Sequence, residues 1–313
     1  MRKETVSATS DNARPQEQEL WERLRTTEGA EKAEVLDELS HIAYNKNNYI
    51  ECLQLVDTSI EIYYSLGIDL HTRDLIHVTQ GKAFCLVNLK RQREAAEAFE
   101  SLAQLYQLCD DIAGYIGAKR DAACNWYEVE EWQKCLEGHT AAKDSLDPDA
   151  TPMSMGIDLL NIGMAHMKLE NHEAAIVNFL SARSLFKEAK NPEHVNWCDN
   201  YLSRVFIAIK NGPEAKFHAQ HYFNYSKVAE DFTMEGYARF RLGNAYLLCG
   251  EYDEAESELT RSLEMLTLED NKDWDSIVEA NHRLAEALTE LGREDEAKER
   301  LERLKTIEDT LAA

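Results

Sequence analysis

His218 and His221 stand three residues apart and would present two imidazoles on one face of a helix, the start of a divalent-metal site. Such a site needs a third ligand at definite spacing, and the sequence shows none. Solvated or packed imidazoles therefore account for the pair. The adjacent carboxylates Asp110-Asp111 and Glu130-Glu131 diverge on a helix and read as turn and surface residues rather than as an acid–base couple. Seven cysteines (Cys52, Cys85, Cys109, Cys124, Cys135, Cys198, Cys249) are dispersed without a C-x-x-C pair, which gives neither a disulfide framework nor a zinc spacing. Several replace Ala in helical patterns, as small buried hydrophobes, and reduced thiols fit a cytoplasmic protein. G-x-G-x-x-G, G-x-x-x-x-G-K-[ST], H-E-x-x-H and G-x-S-x-G do not occur. No catalytic residue, cofactor or metal is expected, so function must lie in a surface that the elements build.

Those elements are constrained by composition. The 313 residues hold only 13 Gly and 5 Pro, with 34 Lys+Arg against 58 Asp+Glu, a formal net charge of −24. So few turn residues exclude a β-sandwich, a barrel or a glycine-looped Rossmann fold. So acidic a surface disfavours nucleic acid and anionic lipid as partners. No run approaches the length of a membrane span. Residues 1–15, polar and rich in Ser, Thr and Asn, read as a disordered tail rather than a secretory signal.

The strongest signal is an internal repeat. A small residue recurs at Cys52, Ala95, Cys135, Ala175, Ala215, Ala255 and Ala297, with spacings of 43, 40, 40, 40, 40 and 42. Twelve residues before each anchor stands a second small residue: Ser40, Ala83, Ala123, Gly163, Ser203, Gly243 and Ala285. Three beyond that comes a mostly large one: Ala43, Leu86, Trp126, His166, Phe206, Tyr246 and Leu288. A fixed period with internal grammar means one supersecondary unit stacked many times. Small residues let two antiparallel helices cross closely, here Gly/Ala/Ser facing Ala/Cys, with bulky neighbours filling the sides. Residues 16–313 are thus expected to form a single domain of about seven helix pairs. A cap helix is expected near Gln16 to Arg25, and a charged capping helix at the C-terminus.

The segments Leu242-Gly243-Asn244-Ala245-Tyr246, Gly250 to Ala255 and Leu259 resemble the tetratricopeptide repeat, W-x2-L-G-x2-Y followed by A-x3-F. Ile162-Gly163, His166, Ala175 and Phe179 match next best, and the resemblance covers about residues 34 to 305. It departs in lacking the Trp (Leu159, Arg239 and Asn281 stand there), in a displaced or absent terminal Pro, and in a period of 40. In period alone it is similar to the extended repeats of kinesin-light-chain-like and Pins-like proteins. The resemblance implies an all-α, right-handed superhelical solenoid. It also implies a non-enzymatic scaffold that binds a peptide or a partner helix on its concave wall.

In that family the wall is built by the first helix of each pair, at fixed offsets from the small motif residue. Those offsets, and the turn before them, select Phe84, Arg120, Tyr127, Met164, Trp197, Asn200, Arg204, Tyr237, Phe240 and Asn244. Apolar shelves and flexible Met would take side chains. Asn would pair with an extended backbone, and Arg would fork a carboxylate. The same positions could instead seal neighbouring helices, and both readings stand at this point. The rival function is a peptide-sensing regulator whose superhelix closes on its ligand. Receptors of that architecture usually carry an effector domain ahead of the repeats, for which this chain has too few residues there. The segment from Glu251 onward, with 20 acidic and 8 basic residues, is either a solubilising cap or a dock for a basic partner. Homo-oligomerisation is left open.

Overall fold

The computed structural model describes residues 8–147, 149–268 and 273–312; part of the expected tail, residues 1–7, lies outside them. The described residues are all-α, with fifteen helices and no strand. Helix α1 (Ala8–Leu24) packs on α2 and precedes seven antiparallel pairs. These are α2 (Gly29–Asn45) with α3 (Tyr49–Leu66), α4 (Ile68–Asn88) with α5 (Gln92–Leu108), and α6 (Ile112–Glu128) with α7 (Trp132–Asp144). They continue with α8 (Pro152–Lys168) and α9 (His172–Glu188), α10 (Pro192–Ala208) and α11 (Gly212–Ala229), and α12 (Phe232–Cys249) and α13 (Tyr252–Thr267). The last pair is α14 (Trp274–Glu290) and α15 (Glu294–Ala312). Although the repeat period runs through residue 148 unbroken, the contacts fall into two compact units, Met1–Pro148 and Asp149–Ala313. No helix among the described residues is long and apolar enough to cross a membrane.

One turn is used seven times. Each anchor is the fourth residue of the second helix of its pair. Five residues before every anchor the backbone is left-handed: Asn47, Lys90, Glu130, Glu170, Lys210, Gly250 and Gly292, with φ between 57° and 76°. The next residue's N–H then donates back to the carbonyl of the mostly large motif position. Asn211 N–H reaches Phe206 O at 2.8 Å, and Glu251 N–H reaches Tyr246 O at 3.0 Å. This is a Schellman ending, which satisfies carbonyls that a helix end would otherwise leave orphaned. Second helices begin at Asn48 and Asn211 with a side chain accepting a backbone N–H, and Pro213 follows inside α11.

The crossings differ in one respect from the sequence expectation. At the two glycine crossings the small residue of the first helix meets the large residue four beyond the anchor, whereas Ser40 still meets its anchor, Cys52. A Cβ on Gly163 would lie 2.6 Å from the Phe179 ring, and one on Gly243 would lie 2.5 Å from Leu259 Cγ. Glycine is needed there because a bulky side chain already fills the space. The anchors are themselves buried, and Phe179 and Leu259 are wholly so.

Candidate partner-binding surface

Within residues 149–313 the first helices touch in order, α8 with α10, α10 with α12 and α12 with α14. They form one wall. Helix α10 presents Trp197, Asn200 and Arg204 along one stripe, since residues three and seven apart share a helix face. Trp197 is 40% exposed and leans on His194, ring centroids 4.5 Å apart. Asn200 is half-buried. Arg204 holds its guanidinium 5.5 Å from the Tyr201 ring. Met164 of α8 is half-buried against the core formed by Phe179, Phe186 and Leu202. Tyr237 of α12 is partly buried and donates its hydroxyl to Asp273 Oδ2 at 3.0 Å.

Two expected wall residues are core instead. Phe240 is completely buried with Leu259, Leu263, Leu266 and Ile277. Asn244 is 3% exposed and spends its amide on the Phe240 carbonyl, 3.1 Å away. The cause is close packing: α12 is tightly held by both α11 and α13, so these positions, half-exposed on α10, are covered on α12.

The residue that sequence offsets missed is Arg241, two before Gly243. Its Nε is buried with no hydrogen-bond partner. Burial, reinforced by the nearby charge of Arg204, lowers its pKa to about 10. Its guanidinium stands 4.9 Å from the Phe240 ring. Among the described residues neither Arg204 nor Arg241 has an ion pair; Glu279 and Asp273 act on Arg241 only through space. Two other arginines of this unit are matched. Arg239 bridges Glu235 and Glu258, and Arg183 grips Asp199 in a fork at 2.9 and 3.0 Å. His218 Nδ1 lies 2.6 Å from the same Asp199 carboxylate and its ring stacks on Phe206. His218 and His221 therefore have separate surroundings, His221 being exposed against Phe217.

A cleft of about 620 Å³ lies among α9, α10 and α11, lined by Phe186, Val195, Tyr225 and Val228. Within residues 1–148 the remaining expected positions are spread out. Phe84 is 39% exposed, edge-on to Phe99. Arg120 is half-buried, and Tyr127 packs edge-on against Trp132.

This geometry defines a class: consecutively stacked helix pairs whose first helices, within residues 149–313, form one wall. More particularly, residues 235–307 match the family model of the tetratricopeptide repeat, and the fold is that of tetratricopeptide-repeat structures. No curated protein is similar enough in sequence to count as a relative. Among solved structures it is similar to BtubC (BKLC) from P. vanneervenii, with TM-score 0.60 and 14% identity over 72% of this chain and 92% of that one. It is also similar to a signal transduction ATPase with a tetratricopeptide repeat sensor from Pyrococcus horikoshii, with TM-score 0.66 and 13% identity. That match covers 90% of this chain but 42% of the other. The apo form of RapI aligns with TM-score 0.62 and 11% identity, over 89% of this chain and 77% of that one. At such identities the likeness is one of fold.

Proposed function

We propose that this protein is a non-enzymatic, cytoplasmic adaptor that binds an extended peptide segment of a partner protein along the α10–α12 wall. A carboxylate of that segment is held by Arg204 and Arg241, and an apolar side chain rests on Trp197. The observation that carries this reading is a pair of arginines that, among the described residues, lack an ion pair in a chain of net charge −24. Burying a guanidinium without a counter-charge is costly, and a carboxylate is the geometric complement of its fork. An exposed tryptophan beside it is a fitting anchor, since Trp and Arg dominate interface energies.

The test is selection of a random peptide library displayed on phage against the purified chain. Enriched sequences should carry an acidic residue or a free C-terminus next to an aliphatic or aromatic residue. A combined Trp197→Ala, Arg204→Ala variant should lose them while its thermal melt stays within a degree or two of the parent, since both side chains are partly solvated. Enrichment of basic peptides, retained by that variant, would move binding to the acidic segment from Glu251 onward.

A further inference from the structure

The other unit carries a different constellation. Asp37 and His41, four residues apart on α2, share a face with His77 of α4. One ligand atom from each lies within 4.8 Å of the other two. His77 Nδ1–H donates to Asp37 Oδ2 at 2.8 Å, and His41 Nε2 lies 3.8 Å from Asp37 Oδ1. The two imidazoles face each other with centroids 5.0 Å apart.

We propose that Asp37, His41 and His77 bind one divalent transition-metal ion, zinc or a cobalt or nickel ion in its place. A carboxylate and two imidazoles are the donor set such ions favour. A tetrahedral zinc with bonds of about 2.0–2.1 Å spaces its ligand atoms about 3.3 Å apart. Both imidazoles are more than half exposed and so have room to turn toward that spacing. Asp37, 19% exposed, is the fixed point. On binding, the proton on His77 Nδ1 leaves and the metal takes its place. The remaining coordination positions open toward a cavity of about 200 Å³ lined by Tyr44, Gln80 and Phe84. The ion would tie α2 to α4, the first helices of two successive pairs. A simple Asp37–His77 hydrogen bond is the competing account, and in it His41 has no part.

The experiment uses the full chain, stripped with a chelator and dialysed, titrated with zinc chloride by calorimetry and with cobalt chloride by visible absorption. One ion should bind per chain, and the cobalt form should show the intense bands of a four-coordinate site. His41→Ala and His77→Ala should each weaken binding by at least about tenfold, and the double variant should lose the cobalt bands. His221→Ala, another exposed imidazole, should leave the titration unchanged. Absence of saturable uptake, or uptake by the double variant equal to that of the parent, would overturn the site. Circular dichroism of each variant guards against misfolding.

Discussion

The pairs in residues 1–148 and those in 149–313 share one turn yet fill their crossings and walls differently. In the first unit the small crossing positions are Ser40, Ala83 and Ala123, and the wall carries Asp37, His41 and His77 beside a half-exposed Phe84. In the second unit two of the four pairs cross at glycine, with Phe179 or Leu259 in the vacated space, and the wall carries Trp197 and two arginines without an ion pair among the described residues. The backbone grammar is thus indifferent to what the wall displays. Left-handed turn residues and buried anchors hold the helices, and the exposed offsets carry different side chains in each unit.

The largest effects should come from positions that the second unit has buried. Phe240→Ala should cost about 3–5 kcal/mol in urea denaturation, as for other buried phenylalanines. Phe84→Ala, one helix face away from burial in the first unit, should cost less than about half of that. Equal costs would erase the distinction between the two walls. Gly243→Leu should follow at about 3 kcal/mol or more, because Leu259 already occupies the space. Glu251→Leu, at the turn, forfeits only a partly exposed pairing with Lys216, worth under about 1 kcal/mol. Gly117 of the first unit should behave in the opposite way. Nothing lies within 4 Å of a Cβ on the helical Gly117, so Gly117→Ala should stabilise by about 0.5–1 kcal/mol.

The smallest effect is a pH dependence. Burial depresses the pKa of His166, whose Nδ1 is buried without a partner. The unfolded imidazole takes up its proton at an ordinary value of about 6.5, and the folded one only at lower pH. The unfolded state therefore binds more protons in that window. His166 contributes stability above the unfolded pKa and loses it as pH falls. His166→Phe, which restores the residue type of Phe206 in the next repeat, should raise the melting temperature slightly and flatten the decline between neutral and mildly acidic pH. An unchanged acid limb would leave the burial of His166 without thermodynamic consequence.

Much of the fold was legible because the anchors recur at a nearly constant period and sit at one structural position, the fourth residue of each second helix. The turns were less so. Lys90, Glu130 and Lys210 adopt the left-handed conformation although their types do not announce it, since tertiary packing imposes what glycine would adopt freely. The wall was half legible. Offsets found Trp197, Asn200 and Arg204, but gave Phe240 and Asn244 the same standing, because a repeat pattern does not report how tightly a given pair is covered. Arg241 lies off the pattern, and only the absence of a counter-charge picks it out. Asp37 and His41 stand three before and one after the small residue Ser40, the offsets that mark wall positions. Their union with His77 was not legible, since it joins residues forty apart through the packing of α2 and α4.

The central claim is that the α10–α12 wall, and not the outer side of the second helices, receives the partner. A photo-crosslinking residue placed at position 197 or at position 217, where Phe217 of α11 is 51% exposed, tests it directly with a peptide taken from the library selection. The account predicts an adduct from position 197, competed by unlabelled peptide, and none from position 217. An adduct from position 217 alone would contradict it.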